Sequence, residues 1–381
     1  MKQYRTMIWA PLAVMLSVLP VYADDLPNPE EMGPYPVGVT TVLLEDHSRI
    51  DALTKGPRPL MTEIWYPATD DTRGMPKNKM SDFYLKGTHQ GLATALKMAF
   101  KVDLMELDKT FENESVRDAR VRDGVFPLVL FSHGNGGMRM QNAFWCDHIA
   151  SHGYIVVAPD HTGNASVTTI DGKLIPMNPA QREASSADRP KDMSFLIDVM
   201  TRWNAGADSR FLGKFDIEHI AMSGHSFGGY TSTKVADVDP RVDCIIPMAA
   251  VGIGRVNYAV PALIIIATED DTIGVAGNAK MREYYEQSTG PRVLLEFKNA
   301  GHFSFTEMFQ FIPDFGDGVG KGKRTSNGEE ISYVPKKTVY RYTNGFSTAF
   351  LGKYLKGMDG YDGYLAKNPD PSELIHDAKL P

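Results

Sequence analysis

From about residue 120 onward, short apolar runs alternate with stretches whose apolar positions recur at helical spacing. "FPLVLFSH" (126–133), "YIVVAPD" (154–160), "HIAMSG" (219–224), "CIIPMA" (244–249), "ALIIIAT" (262–268) and "RVLLEFK" (292–298) are short, rich in β-branched residues and bounded by Gly, Pro or Asp. Runs of this kind predict strands buried on both faces, as in a parallel sheet. Between them, 142–152, 193–203, 228–236 and 278–288 read as helices, and 343–355 as a closing helix. "TTVLLED" (40–46) and "MTEIWYPA" (61–68) predict an antiparallel pair that begins the same sheet. The alternation implies an α/β fold: one mostly parallel central sheet with helices on both faces.

Two segments exceed a minimal version of this plan. Residues 75–120 carry Leu92, Leu96, Phe100 and Leu104 at a four-residue stride. That stripe fits either plain packing or a helical lid inserted over an apolar pocket. Residues 303–342 are polar and glycine-rich, but "GDGVGKGK" lacks the spacing, the Ser/Thr and the preceding strand of a phosphate loop.

The N-terminus changes the picture of location. "MKQYR" is basic, an apolar stretch interrupted by Pro11 and Pro20 follows, and "VYA" places small residues at Val21 and Ala23. This is the pattern of a cleaved secretory signal spanning 1–23, which leaves 24–381 as a single domain bound for the periplasm or the exterior. The formal charge is −7; loss of Lys2 and Arg5 leaves 38 − 47 = −9. No dense basic run exists to neutralise phosphates, so no nucleic-acid partner is expected. Cys146 and Cys244 both fall in apolar segments and read as unpaired core thiols.

The candidate chemistry centres on "GHSFG" (224–228), which fits the G-x-S-x-G turn between a strand and a helix. Such a turn lifts Ser226 above the sheet at a helix N-terminus, where the dipole favours developing negative charge. A serine needs a base, and the order for this architecture is Ser, acid, His. Of the two histidines after Ser226, His302 follows a strand within "NAGHFSF", whereas His376 lies in the tail. The acid belongs to the turn holding Glu269, Asp270 and Asp271, since those carboxylates follow a strand directly. Oxyanion donors are expected at the backbone N–H of Phe227 and in the loop Gly134–Gly137. His133 reads as a turn-shaping residue. His148 and His152 stand at i, i+4, but no third metal ligand accompanies them. Neither a metal nor a cofactor is called for.

With these pieces in view, the sequence resembles the α/β-hydrolase superfamily, and within it the secreted platelet-activating-factor acetylhydrolases, dienelactone hydrolases and cutinase-like polyester esterases. The resemblance rests on "GPYPVG" (33–38), "EIWYPA" (63–68), "FPLVLFSHGNGG" (126–137), "ASHGYIVVAPDHTGNAS" (150–166), "GHSFGG" (224–229) and "NAGHFSF" (299–305). It implies oxyanion donors at Asn135 and Phe227, and resemblance to cutinase acid loops selects Asp271 from the three carboxylates. The chain departs from the animal acetylhydrolases, which carry their acid where this chain reads "PMAAVG", and from dienelactone hydrolases, which use Cys in place of Ser226. The resemblance implies hydrolysis of a carboxylic ester through an acyl-enzyme. The substrate would be a small-molecule or lipid-like ester, a lipid one bringing peripheral contact with lipid. Acyl transfer to an alcohol would use the same triad, and a non-catalytic binding protein could share the scaffold.

Overall fold

The computed structural model describes residues 26–85, 93–94, 97–98, 103–253 and 258–381. The strands, in chain order, are β1 (Val37–Ile50), β2 (Pro57–Pro67), β3 (Ser115–Arg117), β4 (Phe126–Ser132), β5 (Ile155–Pro159), β6 (Val167–Ile170), β7 (Lys173–Pro176), β8 (Phe215–His225), β9 (Val242–Met248), β10 (Ala262–Ala267), β11 (Arg292–Phe297), β12 (Lys321–Lys323), β13 (Glu330–Ser332) and β14 (Leu374–Lys379). Ten of them form one sheet in the order β14-β11-β10-β9-β8-β4-β5-β2-β1-β3. β5, β4, β8, β9, β10 and β11 run parallel, and β1, β2 and β5 pair antiparallel in succession. All eight strands expected from the apolar runs are present in this sheet. The two additional strands, β3 and β14, lie at its edges. The remaining four form small hairpins, β6 with β7 and β12 with β13.

The continuous apolar runs serve two cores at once. Along β4, Val129 and Phe131 face one layer while Leu128 and Leu130 face the other; Leu263 and Ile265 alternate with Ile264 and Ile266 along β10. Period-two alternation with both sets apolar is what a strand between two helical layers requires. The first layer holds the helices Ala143–Ser151 and Lys336–Lys356, through residues such as Trp145, Ile149, Phe346 and Phe350. The second holds Arg182–Arg202, Phe227–Val238 and Gly274–Gln287, through Met193, Leu196, Val235 and Met281. Cys146 and Cys244 are unpaired and fully buried, and burial pushes both thiols well above their ordinary pKa.

Residues 1–25 lie outside the described part, so the expected signal segment does too, as do Leu92, Leu96 and Phe100 of the apolar stride. Leu104, the last of that stride, is buried in the first core beside Met80 and Phe83. No described helix is long and apolar enough to cross a membrane.

His148 and His152 fasten the arm that precedes β1. Nε2 of His148 donates to the Pro29 carbonyl and Nε2 of His152 to the Glu31 carbonyl, both at 2.9 Å. Ser151 continues the clasp, accepting from Gly33 N–H and offering its carbonyl to Tyr35 N–H. Burial pushes His148 down to about 3 and His152 to about 4. Both rings are therefore neutral in the fold at pH values where the unfolded chain protonates them, near 6.5. The unfolded state then binds more protons, so this contribution to stability is full above about pH 6.5 and is lost as pH falls toward 4. A His148→Gln, His152→Gln double variant keeps an N–H donor at each place but cannot titrate. Its melting temperature is expected to fall less than that of the wild type between pH 7 and pH 4.5; an equal fall in both proteins would refute the account.

Candidate active site

The turn after β8 is built by contacts that tolerate no side chain. A Cβ added at Gly228 would stand 1.7 Å from the Ser132 carbonyl oxygen, and one at Gly224 would stand 2.4 Å from backbone atoms of Gly228. Between them Ser226 takes φ 57° and ψ −117°, a left-handed conformation rare for a residue with a side chain. Its N–H donates to the Met248 carbonyl at 2.8 Å, and the helix Phe227–Val238 starts at the next residue. Ser226 is 5% exposed, and its Oγ has no hydrogen-bond partner among the described residues.

His302 opens the short helical turn His302–Phe305 beyond β11, at the same end of the sheet. Its Nδ1 donates to Oδ2 of Asp270 at 2.8 Å, which leaves Nε2 unprotonated and able to accept a proton. The carboxylate on His302 is therefore that of Asp270, and the expectation of Asp271 is corrected. The reason lies in the turn after β10. The strand ends at Ala267, and the turn that follows is tied to the segment after β11 by Thr268 N–H on Phe297 O and Glu269 N–H on Ala300 O. Asp270 then caps the turn, accepting from Ile273 N–H at 2.9 Å with Oδ1 while Oδ2 meets the imidazole. Asp271, one residue on, is exposed; its partial burial and the charges of Asp317, Asp270 and Glu269 raise its carboxyl. Glu269 faces away from His302, accepting from Thr325 N–H. His376 lies in β14, bonded to the Leu365 carbonyl.

The loop after β4 leaves one peptide N–H open. Gly134 N–H donates to Gln141 Oε1 at 2.9 Å, Gly136 N–H to Asn164 O at 3.1 Å and Gly137 N–H to Gly134 O at 3.1 Å. Neither Asn135 N–H nor Phe227 N–H has an acceptor among the described residues. His133 shapes this turn as expected. Its Nδ1 donates to Gly134 O and its Nε2 accepts from His161 N–H, a neutral tautomer that burial and nearby Arg189 enforce.

Several supporting residues carry no signature in the sequence. Gln141 also donates through Nε2 to Nδ1 of His225, and Nε2 of His225 donates to the His302 carbonyl, both at 2.8 Å. Asp317 accepts from His302 N–H at 2.9 Å and from Asp271 N–H at 3.0 Å, joining the His302 turn to the turn after β10. The glycine-rich stretch around it lies close against the His302 turn: a Cβ at Gly301 would come within 2.4 Å of Asp317 and Gly318 backbone. Beneath the loop after β4 runs a second row of Ser, His and Asp. Ser132 Oγ donates to His161 Nε2 at 2.8 Å, and His161 Nδ1 donates to Asp192 Oδ2 at 2.9 Å. All three side chains are fully buried, and Asp192 is already paired with Arg58 and Arg49. Burial alone would raise the Asp192 carboxyl, yet the Arg58 guanidinium holds it well below its ordinary range. The row ties the end of β4 to the helix Arg182–Arg202.

A family model described as PET hydrolase-like matches residues 124–316, and one described as platelet-activating factor acetylhydrolase, isoform II, matches residues 23–185. The chain is 24% identical over 291 residues to a platelet-activating factor acetylhydrolase of Cavia porcellus, covering 67% of this chain and 64% of that one. It is 25% identical over 184 residues to a cutinase of Thermobifida alba, covering 48% and 55%. The chain thus spans less than two thirds of the length of these relatives. The solved structure of a ferulic acid esterase from Streptomyces cinnamoneus superposes with a TM-score of 0.70 at 23% identity, over 89% of this chain and 95% of that one. With the PET hydrolase-like model matching just over half of its length and that fold shared, the chain belongs to the PET hydrolase-like family of α/β hydrolases.

Proposed function

We propose that the protein is a serine hydrolase of carboxylic esters that works through an acyl-enzyme. The observation that carries this reading is the meeting of three features at one end of the sheet. Ser226 sits on a strained turn at a helix N-terminus, His302 is oriented by Asp270, and the Asn135 and Phe227 N–H groups are unengaged. In the reaction, Ser226 Oγ attacks the ester carbonyl carbon while His302 Nε2 takes the hydroxyl proton. Asp270 stabilises the imidazolium and fixes its tautomer. The two N–H groups hold the oxyanion, and collapse of the tetrahedral intermediate expels the alkoxide, which receives the proton from His302. Water then repeats the sequence on the acyl-enzyme and releases the acid. Contacts between nucleophile and base close in the Michaelis complex, and the unpartnered Ser226 Oγ is free to make one.

An apolar wall beside the base supports short-chain or lipid-like esters as substrates. The Phe303 ring lies 5.2 Å from the His302 ring and 4.7 Å from that of Phe315, which is 42% exposed. The basic, apolar and small-residue succession of residues 1–23 supports export, and N-terminal sequencing of the mature protein tests it.

Ser226→Ala is expected to lower hydrolysis of a chromogenic short-chain ester by about 10⁴-fold or more, and an organophosphate should label Ser226 alone. Unchanged turnover in that variant would exclude Ser226 as nucleophile. Asp270→Asn is expected to cost on the order of 10⁴-fold in kcat. Asp271→Asn should cost only a few-fold, because its carboxylate meets solvent and local turn groups rather than the imidazole. The opposite ranking of the two asparagine variants would return the acid role to Asp271.

A further inference from the structure

Arg189 is fully buried in the helix Arg182–Arg202, and no carboxylate lies within ion-pair distance of it among the described residues. Its partners are instead parts of the proposed oxyanion site. Nη1 donates to His133 O at 2.5 Å and to Ser132 Oγ at 3.3 Å, and Nη2 donates to Gly134 O at 3.1 Å and to Asn164 Oδ1. The guanidinium carbon stands 4.5 Å from the centre of the Phe227 ring. Asn164 passes the contact on, donating through Nδ2 to Asn135 Oδ1 at 3.0 Å and accepting from Gly136 N–H.

We infer that Arg189 is the positioning residue of the oxyanion hole, an assignment that rests on the ester-hydrolase reading above. The peptide plane supplies the mechanism. In a trans peptide, C=O and N–H point in opposite directions. Gly134 C=O and Asn135 N–H belong to one such unit, and that carbonyl is held by Arg189 Nη2 and His133 Nδ1, with Gly137 N–H as a third donor. The Asn135 N–H is thereby turned away from Arg189, and it has no acceptor among the described residues. The preceding unit obeys the same logic: Arg189 holds His133 O, and Gly134 N–H points the other way, to Gln141. The second donor, Phe227 N–H, comes from another element, and the same guanidinium packs against that residue's ring. One planar cation thus sets the separation of two donors supplied by distant stretches of chain. A charge bonded to the carbonyl end of a peptide also polarises its N–H, strengthening the bond to a developing oxyanion. An isolated buried cation is costly, and an apolar side chain would fill the space at less cost.

The test compares Arg189→Met and Arg189→Lys with wild type on a short-chain chromogenic ester, on an alkyl boronate that forms a tetrahedral adduct with the serine, and on an uncleaved amide analogue. In Arg189→Met, kcat should fall about 10²- to 10³-fold, the loss typical of one oxyanion donor, with KM and amide affinity nearly unchanged. Boronate affinity should fall in proportion to kcat/KM. Arg189→Lys should recover part of the loss, since an ammonium keeps the charge but not the fork that spans the acceptors. Should Arg189→Met not fold, Arg189→Lys carries the comparison. Full kcat in a folded variant, or equal losses of amide and boronate affinity, would overturn the inference. A wild type that cleaves no ester would fail the functional reading instead. Wild-type turnover abolished by Ser226→Ala but untouched in Arg189→Met would fail this inference alone.

Discussion

The site depends on one close approach, that of the turn after β8 to the end of β4. Gly228 lies so near the Ser132 carbonyl that a single methyl group would overlap it. This contact lets the helix Phe227–Val238 start directly beside the loop that follows β4. The Phe227 and Asn135 N–H groups, both without an acceptor among the described residues, thus come from two neighbouring segments of the chain. Widening the gap by the size of a side chain would move the two segments apart. The positive φ of Ser226 follows from the same compression, because the chain must reverse from strand to helix without leaving that surface.

The packing beneath this surface is more polar than an α/β core requires. Arg58, Asp192, His161, Ser132 and Arg189 form one buried group, and Glu63, Arg139 and Asp160 form another beside it. Buried ion pairs of this kind add little net stability over apolar residues of equal volume, while removal of one partner costs about 3–5 kcal/mol. Their common target explains their presence. The first group grips Ser132, His133 and Gly134, and in the second Asp160 accepts from Arg139 N–H just past the loop. Directional bonds hold a backbone orientation that apolar packing, which has no direction, would leave free.

What could be read from the sequence follows the range of the forces involved. The six parallel strands were legible because each is a short, mostly apolar run, and the elbow because its glycines stand in a five-residue pattern with a strand before and a helix after. β14 was not, since "LIHDAK" has no apolar run longer than two residues and pairs only with β11, at the edge of the sheet. The helix expected over 193–203 starts instead at Arg182; Pro190 and the polar run "REASSAD" argue against a helix locally, but contacts such as those of Arg189 outweigh that propensity. That Asp270 rather than Asp271 meets His302 depends on the turn after β10, which is held by bonds to Phe297 and Ala300 on a distant strand connection. Gln141, Arg189 and Asp317 were invisible for the same reason: each acts on groups 7 to 84 positions away that only the fold brings near.

These long-range ties also bear on how the site keeps its shape. His225, the variable residue inside G-x-S-x-G, accepts from Gln141 on one side and donates to the His302 carbonyl on the other. Gln141 in turn holds Gly134 N–H, so a single chain of bonds runs from the loop after β4 to the His302 backbone. The chain works only while His225 Nδ1 is unprotonated, because an imidazolium has no acceptor. Burial, together with the neighbouring His302 ring, pushes His225 well below the ordinary histidine range. The link therefore persists under the mildly acidic conditions in which a solvated histidine would lose it. Within this arrangement His225 connects the Gln141 side chain to the His302 turn, and its neutral ring is what can accept on one side and donate on the other.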